Sequence, residues 1–301
     1  MVDSGVSEAW TTLKVLDWTA GRFERAGQAS ARLDAQILLA HVLKCPRMAL
    51  YTSFDTPLAP EELSEYRALI QRRLDGEPVA YLTGKQEFWS LPFAVDSRVL
   101  IPRPDTETLV QVALELGDSL VAEAGEGGPL QFVEIATGSG AVSVALAHER
   151  KAWNLIATDL SADALTVAKK NAEANAVADR IDFRQGHLLE PLAGAATISL
   201  LVSNLPYISE ADMKDLSPNV LHEPHSALLG GKLGTELIAE MVAGLGATLA
   251  PGGWVALEHG FDQGEAVRDI ASKAGFTEVQ SRSDLAGRAR VTYFRKPPEA
   301  V

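Results

Sequence analysis

Apolar residues recurring at four-residue spacing predict helices in the first third of the chain. Leu33 and Ile37, then Leu38 and Val42, keep this period, with Arg32, Asp34, Gln36 and Lys44 among the polar positions between them. A second helix is predicted to open at Pro60, with Glu61 and Glu62 in its first turn, where negative charge is favourable. It continues through Leu63, Tyr66, Leu69 and Ile70 to the cations Arg72 and Arg73, and Gly76 and Pro78 end it. No catalytic constellation stands out in this stretch.

The pattern then changes twice. Between 78 and 101, Thr83-Gly84 and Leu91-Pro92 bracket Phe88-Trp89, and Phe93, Val95, Val99 and Leu100 follow; turn residues among aromatic and β-branched ones predict a hairpin. After Pro102 and Pro104, strands alternate with helices. Strands are expected at Phe132–Ala136, Leu155–Thr158, Ile181–Arg184, Ser199–Ser203, Trp254–Glu258, Glu278–Ser281 and Arg290–Phe294, and helices at 141–149, 161–175, 234–249 and 263–274. No clear helix separates the third strand from the fourth. The last two strands also lack one, so the final strand is expected to run antiparallel. This is an α/β pattern with a mostly parallel sheet, whose ligand belongs at the carboxyl ends of the strands. A Gly-rich linker at 125–128 is the one low-complexity tract.

Composition narrows the function. Of 301 residues, 47% are hydrophobic and 22% charged, and the net charge is -13. The C-terminal two thirds carry most of the acidic excess, 27 carboxylates against 16 cations beyond residue 100, which disfavours a phosphate backbone as partner. The single cysteine, Cys45, excludes an intrachain disulfide and a multi-cysteine metal cage; it is expected to be a small core residue. No metal site is expected. Without an apolar membrane-spanning run or a secretory leader pattern, the chain is expected to be soluble and cytoplasmic.

The first candidate site follows strand 132–136. Ala136-Thr137-Gly138-Ser139-Gly140 lead into a helix, and glycines there let the backbone turn sharply and approach a ligand. Asp159 ends the next strand, where a carboxylate can accept hydrogen bonds from both hydroxyls of a ribose. A dinucleotide fingerprint would need glycine where Ser143 stands, and the loop offers no cation for a pyrophosphate. A nucleoside without phosphates fits better, and S-adenosylmethionine is the obvious candidate, with Glu134 as a further anion for its sulfonium. Gly231-Lys232 lacks the glycine and hydroxyl partners of a phosphate-binding loop, because Ser226 and Leu233 occupy those positions. Pro224 breaks any helix that would bring His222 and His225 onto one zinc ion.

The sharpest signal is Asn204-Leu205-Pro206-Tyr207 at the end of the fourth strand. Proline restrains its own φ and biases the preceding residue toward an extended conformation, so the carbonyls of the bend point in set directions. Asn204 adds a side-chain carbonyl and amide, and Tyr207 an aromatic face. Together they are suited to a planar N–H₂ group.

At this point the chain resembles the HemK/PrmC family, which methylates a glutamine side-chain nitrogen in peptide-chain release factors. The resemblance rests on Arg32-Leu33-Asp34-Ala35, Gly76-Glu77-Pro78-Val79-Ala80-Tyr81-Leu82-Thr83-Gly84, Glu87-Phe88-Trp89 and Leu100-Ile101-Pro102-Arg103-Pro104-Asp105-Thr106-Glu107. It rests further on Glu223-Pro224, Gly230-Gly231 and Leu257-Glu258-His259-Gly260 with Gln263-Gly264. It implies a helical N-terminal domain over 1–77 that docks the protein substrate, a hairpin linker over 78–103, and a Rossmann-like class I methyltransferase domain over 104–301. It also implies cofactor contacts from Ala136 to Gly140, the ribose at Asp159, and adenine beside His187 and Leu188. The substrate amide would meet Asn204, Leu205, Pro206 and Tyr207, with Phe88 and Arg103 in segments bordering the pocket. The chain departs from the family pattern at three places. Leu205 replaces a proline and is expected to leave the bend less rigid. Ala136 replaces a glycine and is not expected to adopt positive φ. His187 stands where an acid is common, with Leu188 in place of an aromatic. Two alternatives remain at this stage: methylation of adenine N6 in ribosomal RNA, and a binding protein that has lost catalysis.

Overall fold

The computed structural model describes residues 9–125, 130–194 and 197–298, so most of the expected Gly-rich linker lies outside the described residues. The chain divides into two units: one holds the residues up to Gly84 together with Pro218–His222, and the other holds Lys85–Ser217 and the rest from Glu223.

The first unit is helical: α1 (Thr12–Arg25), α2 (Ala31–Val42), α3 (Ala49–Thr52), α4 (Pro60–Leu74) and α5 (Val79–Thr83). Pro60 takes the first position of α4, where a missing N–H costs nothing, and Glu62 reaches back to accept the Ala59 N–H at 2.7 Å. Phe23, Leu38, Leu39 and Tyr66 fill the core, each such side chain stabilising the fold by roughly 1.5–3 kcal/mol. The Tyr66 hydroxyl donates to the Ala35 carbonyl at 2.9 Å. The buried face of α2 differs from the expected one: Ala31, Asp34, Ala35, Leu38, Leu39 and Val42 point inward, while Leu33 is 42% exposed. Asp34 faces the core because Arg73 donates to it at 2.8 Å, and Arg73 also donates to Asn219 at 2.7 Å. That second bond ties the short helix at Pro218–Leu221 into the helical unit.

The second unit opens with a hairpin, β1 (Lys85–Phe88) and β2 (Leu91–Ala94), whose turn is Trp89-Ser90 and not Leu91-Pro92. Both turn residues have positive φ, which suits a two-residue hairpin loop. Glu107 accepts the Trp89 N–H at 3.0 Å, and Glu149 accepts the indole N–H at 2.8 Å. Helix α6 (Glu107–Ala124) follows; the sequence reading missed it, although Leu109, Val110, Val112, Ala113, Leu116 and Leu120 form its buried stripe.

Next come β3 (Phe132–Ile135), α7 (Ala141–Glu149), β4 (Leu155–Asp159), α8 (Ala162–Ala174), β5 (Ile181–Gln185) and β6 (Ile198–Ser203). Two short strands, β7 (Ile208–Ser209) and β8 (Leu229–Gly231), pair with each other, with α9 (Pro218–Leu221) between them in the chain. Helix α10 (Glu236–Thr248), β9 (Leu249–Glu258), α11 (Gly264–Lys273), β10 (Thr277–Ser283) and β11 (Ala289–Arg295) complete the unit. The seven-stranded sheet has the order β10-β11-β9-β6-β3-β4-β5, and β11 runs antiparallel to both neighbours, as expected. Strand order reverses direction at β3, which places a crevice beyond the carboxyl ends of β3 and β6. The hairpin belongs to this unit: the buried Asn171 of α8 accepts the Ala94 N–H at 2.7 Å and donates to the Ala94 and Ser139 carbonyls. Among the described residues no helix is long and apolar enough to cross a membrane.

Candidate functional site

Four strand ends converge on one cavity of about 400 Å³. Its walls come from Ala136–Ser139 after β3, Asp159 at the end of β4, Gly186–Leu188 after β5, and Asn204–Pro206 after β6; Arg103 and Thr106 close another side.

The loop after β3 is held from below. Glu134, buried in β3, accepts the Thr137 hydroxyl at 2.6 Å, the Ser143 N–H at 2.9 Å and the Ser143 hydroxyl, binding the loop to the first turn of α7. Burial raises its carboxyl to about 7 against those hydrogen bonds. Glu134 does reach the cavity wall, but its carboxylate acts as a clamp on the loop. Ala136 has φ +57, contrary to expectation. Its neighbours impose that conformation, since the Ile135 carbonyl accepts the Ser203 hydroxyl at 2.7 Å and the Thr137 N–H donates to the Thr158 carbonyl at 2.9 Å. A small Cβ keeps the strain to about 1–2 kcal/mol.

Asp159 accepts the Gly138 N–H at 2.8 Å on one oxygen and the Ser161 N–H at 2.9 Å on the other. Burial raises its pKa against those bonds. Each oxygen keeps a further acceptor direction. Leu188 is buried at φ +44, whereas His187 is half-exposed, with Nε2 2.9 Å from Glu240.

The bend after β6 is fixed by backbone packing. Leu205 is 3% exposed and packs in the main core with Ile135 and Leu201, so the leucine anchors the bend that it was expected to loosen. The Tyr207 carbonyl accepts the Gln263 amide at 2.8 Å, and Gln263 in turn accepts the Gly260 N–H at 2.8 Å. Gly230 and Gly234 lie so close that a Cβ would come within 2.4 Å of the Pro206 carbonyl oxygen and 2.2 Å of that of Tyr207. Asn204 donates its amide to the Thr106 hydroxyl at 3.3 Å.

Three expected residues do not line the cavity: Gly140, at φ +80, lies so close to Ala168 of α8 that a Cβ would come within 3.1 Å of it, and Phe88 and Tyr207 are the others. Phe88 is buried in the hairpin, edge-on to Phe93, because β1 turns it inward. Tyr207 also lies off the wall; burial and the nearby Glu258 push its hydroxyl up to about 12. Arg103 does line it, ion-paired to Glu223, which also accepts the Ile101 N–H at 3.1 Å. The sequence reading gave no role to Thr106, Glu223 or Glu258. The last two are acids within apolar or proline-bounded segments, a pattern that signals a partnered buried carboxylate.

Residues 14–84 match the family model described as the PrmC N-terminal domain, and residues 132–223 match one described as a methyltransferase domain. A release factor glutamine methyltransferase of Xylella fastidiosa is 42% identical over 266 residues, covering 88% of this chain and 94% of that protein. One of Rhodopirellula baltica is 37% identical over 298 residues, 98% of this chain and 100% of its own length. Among solved structures, the hMettl16 catalytic domain in complex with MAT2A 3'UTR hairpin 1 has a TM-score of 0.54 at 13% identity, over 83% of this chain and 88% of that one, a likeness of fold.

Proposed function

This chain belongs to the release factor glutamine methyltransferase family, and from that premise we propose that it transfers a methyl group from S-adenosylmethionine to the side-chain nitrogen of a glutamine in a peptide-chain release factor. The observation that carries the reading is that Asp159 and Asn204–Pro206 wall the same cavity of about 400 Å³. A nucleoside-recognising carboxylate and an amide-recognising bend thus face a shared space.

The cavity fits the cofactor. Both Asp159 oxygens have acceptor capacity left for ribose hydroxyls, Gly138 leaves open space where a side chain would stand, and Leu188 offers an apolar surface for a base. When bound, S-adenosylmethionine supplies an electrophilic methyl group on a cationic sulfur.

The chain's part is to aim a poor nucleophile. An amide nitrogen shares its lone pair with its carbonyl, so orientation matters more than a strong base. The Asn204 Oδ1 and the Leu205 carbonyl accept the two amide hydrogens and stabilise positive charge developing on the nitrogen. Pro206 restrains the bend while Gly230 and Gly234 let the backbone pack behind it. Holding the reactants in line can contribute up to roughly 7–11 kcal/mol. The helical unit docks the protein that carries the glutamine. Mass spectrometry of a release factor incubated with enzyme and cofactor tests the reading: one added methyl on a glutamine supports it, and an unmodified factor overturns it.

A further inference from the structure

Glu258 lies at the end of β9, 1% exposed, and its Oε2 finds no hydrogen-bond partner among the described residues. Ser203 of β6 pairs in parallel with Leu257 of β9, so the next residues, Asn204 and Glu258, leave the two strands side by side. Thr106, 5% exposed and on the cavity wall, stands by both: its hydroxyl oxygen accepts from Asn204 at 3.3 Å, and Thr106 and Asn204 both favour the charged form of the Glu258 carboxyl, as donors beside it would.

A carboxamide can present either its oxygen or its N–H₂ to a ligand, and the two ends look alike in shape. Only the oxygen can accept from a glutamine N–H₂; the reversed amide would oppose two sets of hydrogens. An ionised carboxylate accepts and cannot donate, so it takes the Thr106 O–H. The Thr106 oxygen is then left to accept, and it takes the Asn204 N–H₂. The Asn204 oxygen is thereby turned away from this chain of bonds.

We propose that Thr106 and Glu258 are positioning residues, which fix the direction of the Asn204 carboxamide so that its oxygen meets the substrate amide. The inference rests on the glutamine-methylating reading above. Protonation of Glu258 removes the constraint, because a neutral carboxyl can donate to Thr106 and reverse the sequence of bonds. Burial raises Glu258 to about 7, with Asp105 acting in the same direction and Thr106, Arg290 and Asn204 opposing. The charged and titratable groups around it are Arg290 on β11, Asp105 before α6, Tyr207 after β6 and the adjacent His259. Arg290 is itself paired with Asp105 at 2.9 Å and Asp284 at 3.3 Å.

The test uses the full-length enzyme with a glutamine-bearing release factor. Turnover, the Kd for S-adenosylmethionine and the melting temperature are measured for wild type, Thr106→Val, Thr106→Ser and Glu258→Gln between pH 5.5 and 8.5, a range of about 3 units spanning the raised carboxyl. Wild-type kcat is expected to fall as pH drops through about 7. Glu258→Gln is expected to lose about tenfold in kcat at pH 8 and to lose that acid limb. Thr106→Val is expected to lose a similar factor, with Thr106→Ser recovering most of it and all variants keeping cofactor Kd. An acid limb that persists in Glu258→Gln assigns it to another group and overturns the proposal. So does equal loss in Thr106→Ser and Thr106→Val, or undiminished kcat in Thr106→Val. Loss of kcat matched by loss of cofactor affinity also counts against it. A wild-type enzyme that binds cofactor and leaves glutamine unmodified overturns the underlying reading as well, which separates the two failures.

Discussion

Arg103 and Glu223 are ion-paired across a chain separation of 120 residues, and the same Glu223 carboxylate accepts the Ile101 N–H. A segment that walls the cavity is thus pinned by one acid, 1% exposed at its side chain. Glu223→Ala strands a backbone donor and a guanidinium, and is expected to cost about 2–3 kcal/mol by denaturant unfolding. Glu223→Gln should recover part of that. An unchanged unfolding midpoint in Glu223→Ala would contradict the pinning.

Asn204 and Asp159 line one cavity from the ends of β6 and β4, on either side of β3, and should separate kinetically. Asn204→Ala is expected to lower kcat by about 100-fold while cofactor Kd stays within about twofold. Asp159→Ala should instead weaken cofactor binding as its main effect. Calorimetric titration beside steady-state kinetics reads both, and identical profiles for the two variants would refute the division of roles.

Glu134 gives a pH signature in stability. Its carboxyl is raised from 4.5 to about 7 in the folded chain. Between those values the folded state holds the proton more firmly than the unfolded state does, so this group's contribution grows as pH falls and is lost as pH rises through 7. Thermal melts of wild type and Glu134→Gln should therefore diverge in favour of wild type from pH 7.5 to pH 5, a span of about 2.5 units. A pH-independent difference would mean that Glu134 does not titrate there.

Asp34 and Arg73 form a buried pair inside the helical unit, with side-chain exposures of 9% and 6%. Removing one partner leaves the other charge uncompensated: Asp34→Ala is expected to destabilise by about 3–5 kcal/mol. The double change Asp34→Leu with Arg73→Met should restore much of the loss, because an apolar pair of similar volume avoids desolvating charge. Chemical denaturation followed through Trp10 and Trp18 of the helical unit checks this, and additive losses in the double variant would argue against coupling.

Much of the α/β unit was legible because its central strands are short, mostly apolar segments. Phe132–Ile135 and Ile198–Ser203 are buried at every position, and only a sheet covered on both faces permits that. That the bend at 204–206 and Asp159 wall one cavity was also foreseeable, because both stand at carboxyl ends of strands in a mostly parallel sheet. Less local facts were not. Leu33 looked like a core residue and Asp34 a surface one until Arg73 reversed them. The positive φ of Ala136 depends on bonds made by Ser203 and Thr158, both distant in sequence. Thr106 and Glu258 are ordinary in their own segments; the pairing of β6 with β9 brings Glu258 beside Asn204, and a side-chain hydrogen bond across 98 residues brings Thr106 there. Phe88 was misplaced because hairpin register, set at Trp89-Ser90, decides which face it takes.

The packing of Gly230 and Gly234 against the backbone of Pro206 and Tyr207 has a corollary for how such enzymes diverge. Bare main chain pressed on main chain holds Pro206 and Tyr207, and the Leu205 side chain packed in the core holds the residue before them, so a proline ring at 205 is not needed to fix the cradle. Leucine can replace an imino acid there without re-aiming its carbonyl, whereas the supporting glycines have no substitute. Tolerance in this pocket belongs to the wall that touches substrate, and intolerance to the buttress behind it.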